Sequence, residues 1–305
     1  MVKKNHSKFF KYIVMVNMPI LLNKYKFSKD DIIGKGGFST VYEGYDILDS
    51  KKVAIKLDKK IKYNKKESLI YDKIMDEKYM AKKYDYIENS SSSYLIMPLY
   101  DMSCEKLLKI NKDVYFNEKD VLMLAIQIIQ QLNNLHKIGI IHQDVKPDNF
   151  VYDKQNNKFK LIDFGLSKYY IVDNNHIEFE RNHSRCGTLR YMSTNCHMKY
   201  SLSRRDDLIS LSYSLIYLYL KNLPWKNIKT KVKNKSKINL LIKKLKFEFG
   251  DNINLYDLPS PLLLLFNYSN NLRFNSKPDY NFLIKGIYNY LKMNGMKYDG
   301  KWSWR

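Results

Sequence analysis

The sequence predicts an α+β protein of two lobes, a small β-rich N-lobe followed by a larger α-helical C-lobe. Three observations carry this. Alternating apolar and polar positions, rich in β-branched and aromatic residues, crowd into the first hundred residues. From about residue 206 onward the apolar residues recur at helical spacing. The length of 305 residues with 45% hydrophobic content supplies a core for each lobe. The expected boundaries are a basic extension over 1–22, the first lobe over 23–98 and the second over 99–305, with 23–305 forming one domain.

The elements follow in order. Strands are expected at Tyr25–Ile33, at Ser39–Asp46 after a glycine turn, and at Lys52–Leu57. Residues 65–78 read as a helix with Leu69, Ile70 and Ile74 on its apolar face. Ser90–Ser93 form a polar turn before a strand at Tyr94–Leu99. A long amphipathic helix over 118–137 stops at Gly139, as helices do where the chain must turn left-handed. Phe159–Ile162 is a short strand that runs into Asp163. The rest is mostly helical, punctuated by Pro224, Pro259, Pro261 and Pro278. The Lys/Asn-rich run 226–237 reads as an exposed loop, and no internal repeat is present.

Composition excludes several classes. The longest apolar run, Leu208 to Leu220, has thirteen residues, short of the roughly 18 that a membrane span needs. The apolar patch Ile13 to Leu22 is broken by Asn17 and Pro19 and lacks a small-residue cleavage site, which disfavours a signal peptide. Cys104, Cys186 and Cys196 are an odd set without C-x-x-C spacing, pointing to a reducing intracellular compartment, cytoplasm and/or nucleus. The formal charge of +22 favours anionic partners. Part of it is compositional, since lysine, asparagine, isoleucine and tyrosine are all abundant, as an AT-rich genome produces. No nucleic-acid-reading motif accompanies the charge, so specific nucleic-acid binding is not expected. Nothing here fixes an oligomeric state.

The chemistry is concentrated in Ile141-His142-Gln143-Asp144-Val145-Lys146-Pro147-Asp148-Asn149, followed fourteen residues beyond Asn149 by Asp163-Phe164-Gly165. Asp144 can accept the proton of an attacking hydroxyl, and Lys146 can sit on a transferring phosphate. Asn149 and Asp163 can share the Mg2+ ions that neutralise the ATP tail. An H-x-D-x-K-x-x-N string with D-F-G behind it resembles the protein-kinase catalytic loop. Lysine at 146 is the serine/threonine-kinase choice. The ring of His142 is expected to pack and hydrogen-bond rather than ligate a metal.

Upstream, Gly34-Lys35-Gly36-Gly37-Phe38-Ser39-Thr40-Val41 joins two strands, where missing side chains let backbone amides approach phosphates. Val53-Ala54-Ile55-Lys56 matches the V-A-I-K strand, so Lys56 would hold the α- and β-phosphates with Glu67 orienting it. Val41, Ala54 and Val151 would sandwich adenine, Met97 would stand at the back, and Pro98–Tyr100, with Leu99 at its centre, would be the hinge.

Four stretches narrow the resemblance to the casein kinase 1 family. Gly187-Thr188-Leu189-Arg190-Tyr191-Met192-Ser193-Thr194-Asn195 is similar to its G-T-x-R-Y-x-S-x-N, and Ser203-Arg204-Arg205-Asp206-Asp207-Leu208 to its S-R-R-D-D-L. Leu223-Pro224-Trp225 resembles L-P-W, and Leu272–Tyr280 resembles L-R-F-x-x-K-P-D-Y. The likeness runs from about residue 23 to the end, with vaccinia-related kinases ranked second. It implies a serine/threonine kinase that prefers acidic or phospho-primed protein substrates. Arg190, Arg185, Lys229, Lys231, Lys233 and Lys235 are the candidate anion site. It also implies that Thr188 bonds near Asp144 and that Asp207 anchors the catalytic-loop backbone.

Four departures stand out. Ser39 replaces the third glycine, and the Lys56–Glu67 spacing is short. Gln143 replaces the arginine that commonly reads an activation-loop phosphate, and the family's regulatory tail is missing at the end of the chain. These imply an enzyme active without loop phosphorylation or tail release. The alternative is a pseudokinase that uses the same fold as a scaffold; it draws on Ser39 and Gln143 and is opposed by the retained Lys56, Glu67, Asp144, Asn149 and Asp163.

Overall fold

The computed structural model describes residues 20, 21, 23–37, 39–74, 79–110, 116–228 and 232–305. Most of the expected extension 1–22 therefore lies outside the described residues, as do Lys229 and Lys231. The described chain divides into two compact units, one closing with Ala81–Tyr100 and the other running from Asp101 to Arg305 with Tyr79 and Met80.

The first unit is a six-stranded antiparallel sheet in the order β1-β2-β3-β4-β6-β5. Its strands are β1 (Ile20–Leu21), β2 (Tyr25–Lys35), β3 (Ser39–Asp46), β4 (Lys51–Asp58), β5 (Asp85–Glu88) and β6 (Ser93–Pro98). Side chains alternate across the sheet with period two, and directly paired residues share a face. Tyr25, Phe27, Tyr42, Val53, Ile55 and Ile96 accordingly gather as one buried cluster. Val41 pairs with Lys56, Ala54 with Met97 and Lys56 with Leu95, which puts that second set on the opposite face. Gly44 is required where β3 passes β2 and β4: a Cβ there would lie 2.5 Å from Ile55 Cδ1 and 2.8 Å from the Lys26 carbonyl.

Among the described residues, one helix, α1 (Lys62–Ile74), belongs to this unit. Asn64 Nδ2 seats it by donating to the Lys56 carbonyl at 2.9 Å and the Ser93 carbonyl at 3.0 Å. Its inward face is Asn64, Glu67, Ser68, Ile70, Tyr71 and Ile74. Leu69, expected on that face, is 58% exposed. Two adjacent residues sit 100° apart on a helix, and the stripe fixed by Glu67, Ile70, Tyr71 and Ile74 leaves position 69 on the solvent side.

The second unit is built around α3 (Glu118–Lys137) and α5 (Arg204–Leu220), preceded by the short α2 (Cys104–Ile110). A capping box starts α3: Asn117 Oδ1 accepts from Asp120 N at 2.9 Å, and Asp120 Oδ2 accepts from Asn117 N at 3.3 Å. The helix gives way to Gly139 at φ +79°, a left-handed turn. Leu208, Leu211, Leu215 and Leu218 of α5 pack with Leu122, Ile126 and Ile129 of α3. The thirteen-residue apolar run is therefore a core helix, and among the described residues no helix is long and apolar enough to cross a membrane. Among the described residues the remaining helices are the short α4 (Thr194–His197), α6 (Lys235–Asp251), α7 (Ser260–Asn271) and α8 (Tyr280–Met293). The run 226–237 is not all loop: Asn234 Oδ1 accepts from Lys237 N at 2.9 Å and starts α6 at Lys235. An N-capping asparagine outweighs the loop-like composition of the lysines around it.

Candidate active site

In the first unit the glycine turn is closed by Gly36 N donating to the Ser39 carbonyl at 2.8 Å, and β3 resumes at Ser39. Gly34 faces Val41 across the hairpin, and Gly37 has open space around it. Lys56 Nζ meets Glu67 Oε2 at 2.6 Å, with the glutamate 1% exposed. The short sequence separation therefore does not prevent the pair, because α1 begins at Lys62, earlier than expected, and brings Glu67 over β4. Val41, Ala54, Lys56 and Met97 share one sheet face, and Leu99 follows β6 directly. Val151 lies in the second unit, buried in the hairpin of β7 (Phe150–Asp153) and β8 (Lys158–Leu161).

In the second unit Asp144 is held from three directions. Its Oδ1 accepts from Thr188 N and Thr188 Oγ1, each at 2.9 Å, and its Oδ2 meets Lys146 Nζ at 2.5 Å. Lys146 Nζ also donates to Thr188 Oγ1 at 3.1 Å, closing a ring of three side chains. The approach of the two segments demands glycine at 187, with φ +82°. A Cβ there would stand 2.5 Å from the Gln143 carbonyl and 3.3 Å from Asp144 Oδ1. Asn149 Nδ2 donates to the Asp144 carbonyl at 2.9 Å, so its amide oxygen is the end turned away from that bond. Asp163 takes the left-handed region at φ +70°, before the short 3-10 turn Phe164–Leu166. Burial holds His142 below the ordinary histidine range. The neutral ring suits its contacts, with Nδ1 accepting from Asp144 N at 3.2 Å and Nε2–H donating to the Ile162 carbonyl at 3.1 Å.

The catalytic loop hangs from Asp207. Its Oδ2 accepts from His142 N at 2.7 Å and from His136 Nε2 at 2.8 Å, while Oδ1 accepts from Gln143 N at 2.8 Å. Burial acts to raise the Asp207 pKa, but these bonds outweigh it and hold the carboxyl below the usual carboxylate range. His136 Nδ1 in turn meets the Tyr280 hydroxyl at 2.5 Å. Asp206 beside it takes Ser193 Oγ at 2.6 Å, Asn195 Nδ2 at 2.9 Å and Ser203 N at 2.8 Å. Arg205 donates to the Leu272 carbonyl at 3.0 Å and Arg204 to the Asn275 carbonyl at 2.7 Å. The stretches 187–195, 203–208 and 272–280, read separately in the sequence, thus form one bonded frame. His136 carried no sequence signal of its own, since its partner is 71 positions away.

The expected anion-site residues are not equivalent. Arg185, Lys233 and Lys235 are exposed. Arg190 is half-buried, stacked over the rings of Tyr191 and Tyr217, with Nη1 3.9 Å from Glu105 Oε1. Among the described residues no group of three or more His, Cys, Asp or Glu could cage a metal. Asn149 and Asp163 offer hard oxygen ligands, the donor set that suits Mg2+ when substrate phosphates complete its shell.

A six-stranded antiparallel unit with a lysine–glutamate pair, joined in sequence to a helical unit with this catalytic loop, defines a protein kinase. The family model for the protein kinase domain matches residues 27–287. A probable casein kinase I homolog of Encephalitozoon cuniculi (strain GB-M1) is 32% identical over 284 residues, spanning 89% of this chain and 91% of that protein. The chain belongs to the casein kinase I family and is a protein serine/threonine kinase.

Proposed function

We propose that this kinase uses ATP with Mg2+ to phosphorylate serine or threonine hydroxyls flanked by acidic or already phosphorylated residues. The observation that supports the chemistry best is the ring of Asp144, Lys146 and Thr188, which fixes the carboxylate at both oxygens. The substrate hydroxyl oxygen attacks the γ-phosphorus, the bond to the bridging oxygen of the β-phosphate breaks, and ADP departs with the electron pair. Asp144 orients the hydroxyl and takes its proton late. Lys146 lies against the incoming phosphoryl oxygens, and Lys56, steadied by Glu67, takes the α- and β-phosphate oxygens. Asn149 through its amide oxygen and Asp163 through its carboxylate would hold the metal. When bound, the metal neutralises charge on the phosphate oxygens. The preference for anionic neighbours draws on exposed Arg185, Lys233 and Lys235 and on Arg190, in a chain of net charge +22. Charge-assisted contacts of this kind contribute about 1.5–3 kcal/mol each. Three thiols without a disulfide partner suit the cytoplasm and/or nucleus.

The test is phosphate transfer from labelled ATP to peptide sets that differ only in glutamate, phosphoserine or alanine neighbours. The acidic and phosphorylated peptides should win by tenfold or more in kcat/KM, and Asp144→Asn should lower transfer by about 10²–10⁴. Equal rates on all three sets would refute the substrate class, and an Asp144→Asn enzyme of normal rate would refute the base.

A further inference from the structure

Lys246 is a lysine that the chemistry described so far does not use. It lies on α6, 1% exposed, and among the described residues its ammonium is paired with no carboxylate. Instead Nζ donates to the Met192 carbonyl at 2.5 Å and the Leu189 carbonyl at 3.1 Å. The rings of Tyr213 and Trp225 close around it at 4.8 and 5.3 Å. Burying an ammonium without a counter-charge is costly, and carbonyls and ring faces offset that only in part. An isosteric apolar side chain would fill the same space at less cost, so packing alone does not account for lysine here.

The carbonyls it holds bracket Arg190. Trp225 Nε1 donates to the carbonyl of Arg190 itself at 2.8 Å. The carbonyls of residues 189, 190 and 192 are thus all tied to the helical body from below. From the other side, Thr188 N and Oγ1 tie the start of the same turn to Asp144. On this fixed backbone Arg190 lays its guanidinium over Tyr191 and Tyr217, with Nη1 3.3 Å from the Tyr191 hydroxyl and 3.9 Å from Glu105 Oε1.

We propose that Lys246 is a specificity-positioning residue: by drawing the Leu189 and Met192 carbonyls inward, it aims Arg190 at the anionic group of the peptide substrate. The proposal rests on the reading of Arg190 as part of the substrate anion site. It differs from a packing role in one respect, since it ties Lys246 to the choice among substrates rather than to the fold.

The experiment compares wild type, Arg190→Ala, Lys246→Met, Lys246→Gln and the Arg190→Ala/Lys246→Met double variant. Each is assayed on phosphoserine-flanked and alanine-flanked peptides, with thermal melting of every variant. Lys246→Met keeps the volume and removes the donors, and Lys246→Gln restores two neutral N–H donors. Lys246→Met should lower the phosphoserine-to-alanine ratio of kcat/KM by five- to tenfold, mostly through KM for the phosphoserine peptide. Lys246→Gln should recover at least half of that ratio, and the double variant should show no further loss beyond Arg190→Ala. A fall in the ratio with Arg190→Ala but not with Lys246→Met would overturn the positioning role. An Arg190→Ala enzyme with an unchanged ratio would instead overturn the anion-site reading itself. If Lys246→Met melts too low to assay at the standard temperature, it is compared with wild type at a temperature below its melting transition: a ratio lowered five- to tenfold there supports the role, and a ratio equal to that of wild type refutes it.

Discussion

Replacing Asp207 by asparagine isolates what the anchor of the catalytic loop contributes. The carboxylate accepts three hydrogen bonds between 2.7 and 2.8 Å at 2% exposure, so the substitution keeps the volume and removes the charge. If the asparagine oxygen takes the Oδ2 position, the bonds from His142 N and His136 Nε2 survive as neutral ones. Each then loses about 1 kcal/mol, the difference between a charge-assisted and an ordinary bond. The amide NH2 must face the Gln143 N–H, donor against donor, which strands a buried N–H at a further cost of about 1–3 kcal/mol. Turning the amide around strands two donors instead of one. The sum is about 3–5 kcal/mol, a large share of the 5–15 kcal/mol that holds a typical domain together. Urea denaturation gives the stability, and kcat per folded molecule, measured where the variant is still folded, gives the effect on the loop. A loss below about 1 kcal/mol with kcat within twofold of wild type would refute the claim that the loop hangs from this carboxylate.

Other outcomes follow from the same geometry. Lys56→Met should reduce phosphate transfer by at least a hundredfold by removing a phosphate contact, and should also lower stability by about 3–5 kcal/mol because it breaks the buried ion pair with Glu67; steady-state kinetics and calorimetry check this. Phosphatase treatment of the purified enzyme should leave kcat unchanged, since Gln143 occupies the place of a phosphate-reading arginine and its N–H is bound to Asp207; a large loss of activity would count against it. Acid should destabilise the protein through its buried histidines. Burial pushes His197 down to about 3, so between pH 6.5 and about 3 the unfolded chain binds a proton that the folded chain refuses. Stability from this group is complete above pH 6.5 and falls by about 1.4 kcal/mol per pH unit below it, or about 2 kcal/mol by pH 5, with His142 acting in the same direction. Denaturation midpoints measured from pH 7.5 to 5 should fall less steeply for His197→Gln than for wild type.

The parts of the site that were legible in the sequence are those whose chemistry is local. The segment Ile141–Asn149 fits within one loop, and its residue types have few other reasons to occur at that spacing. The same holds for Lys56, whose strand register follows from plain alternation. What sequence could not show are bonds across long separations. His136 and Tyr280 are 144 positions apart, and neither belongs to a local pattern that announces the contact. Lys246 was hidden in a different way. Its helix, Lys235–Asp251, is rich in lysines, and only packing separates the buried one from Lys237 and Lys244 at the surface. Leu69 was misplaced because adjacent apolar residues at 69, 70 and 71 define more than one possible stripe, and the position of Glu67 over β4 selects among them.

The stretches that mark the family do little of the chemistry themselves. Ser193, Asn195 and Ser203 converge on Asp206, Arg204 and Arg205 reach the carbonyls of the 272–275 segment, and Tyr280 reaches Asp207 through His136. Every one of these contacts is buried or part-buried within the second unit except that of Arg204 to Asn275, and each ends at the backbone, at Asp206, or at Asp207 and its partner His136. Such residues should fail differently from the reacting ones. On the proposed mechanism Asp144 and Lys56 meet the substrate, so substituting either cuts the rate by orders of magnitude, well beyond what losing its ties to Thr188 or Glu67 costs in stability. Removing the Tyr280 hydroxyl leaves His136 Nδ1 without its partner in a site where both rings are nearly inaccessible, so Tyr280→Phe should lower stability by about 1–3 kcal/mol and weaken the loop with it. Loss of rate without loss of stability in Tyr280→Phe would mean that the frame reaches the chemistry more directly than its hydrogen bonds indicate.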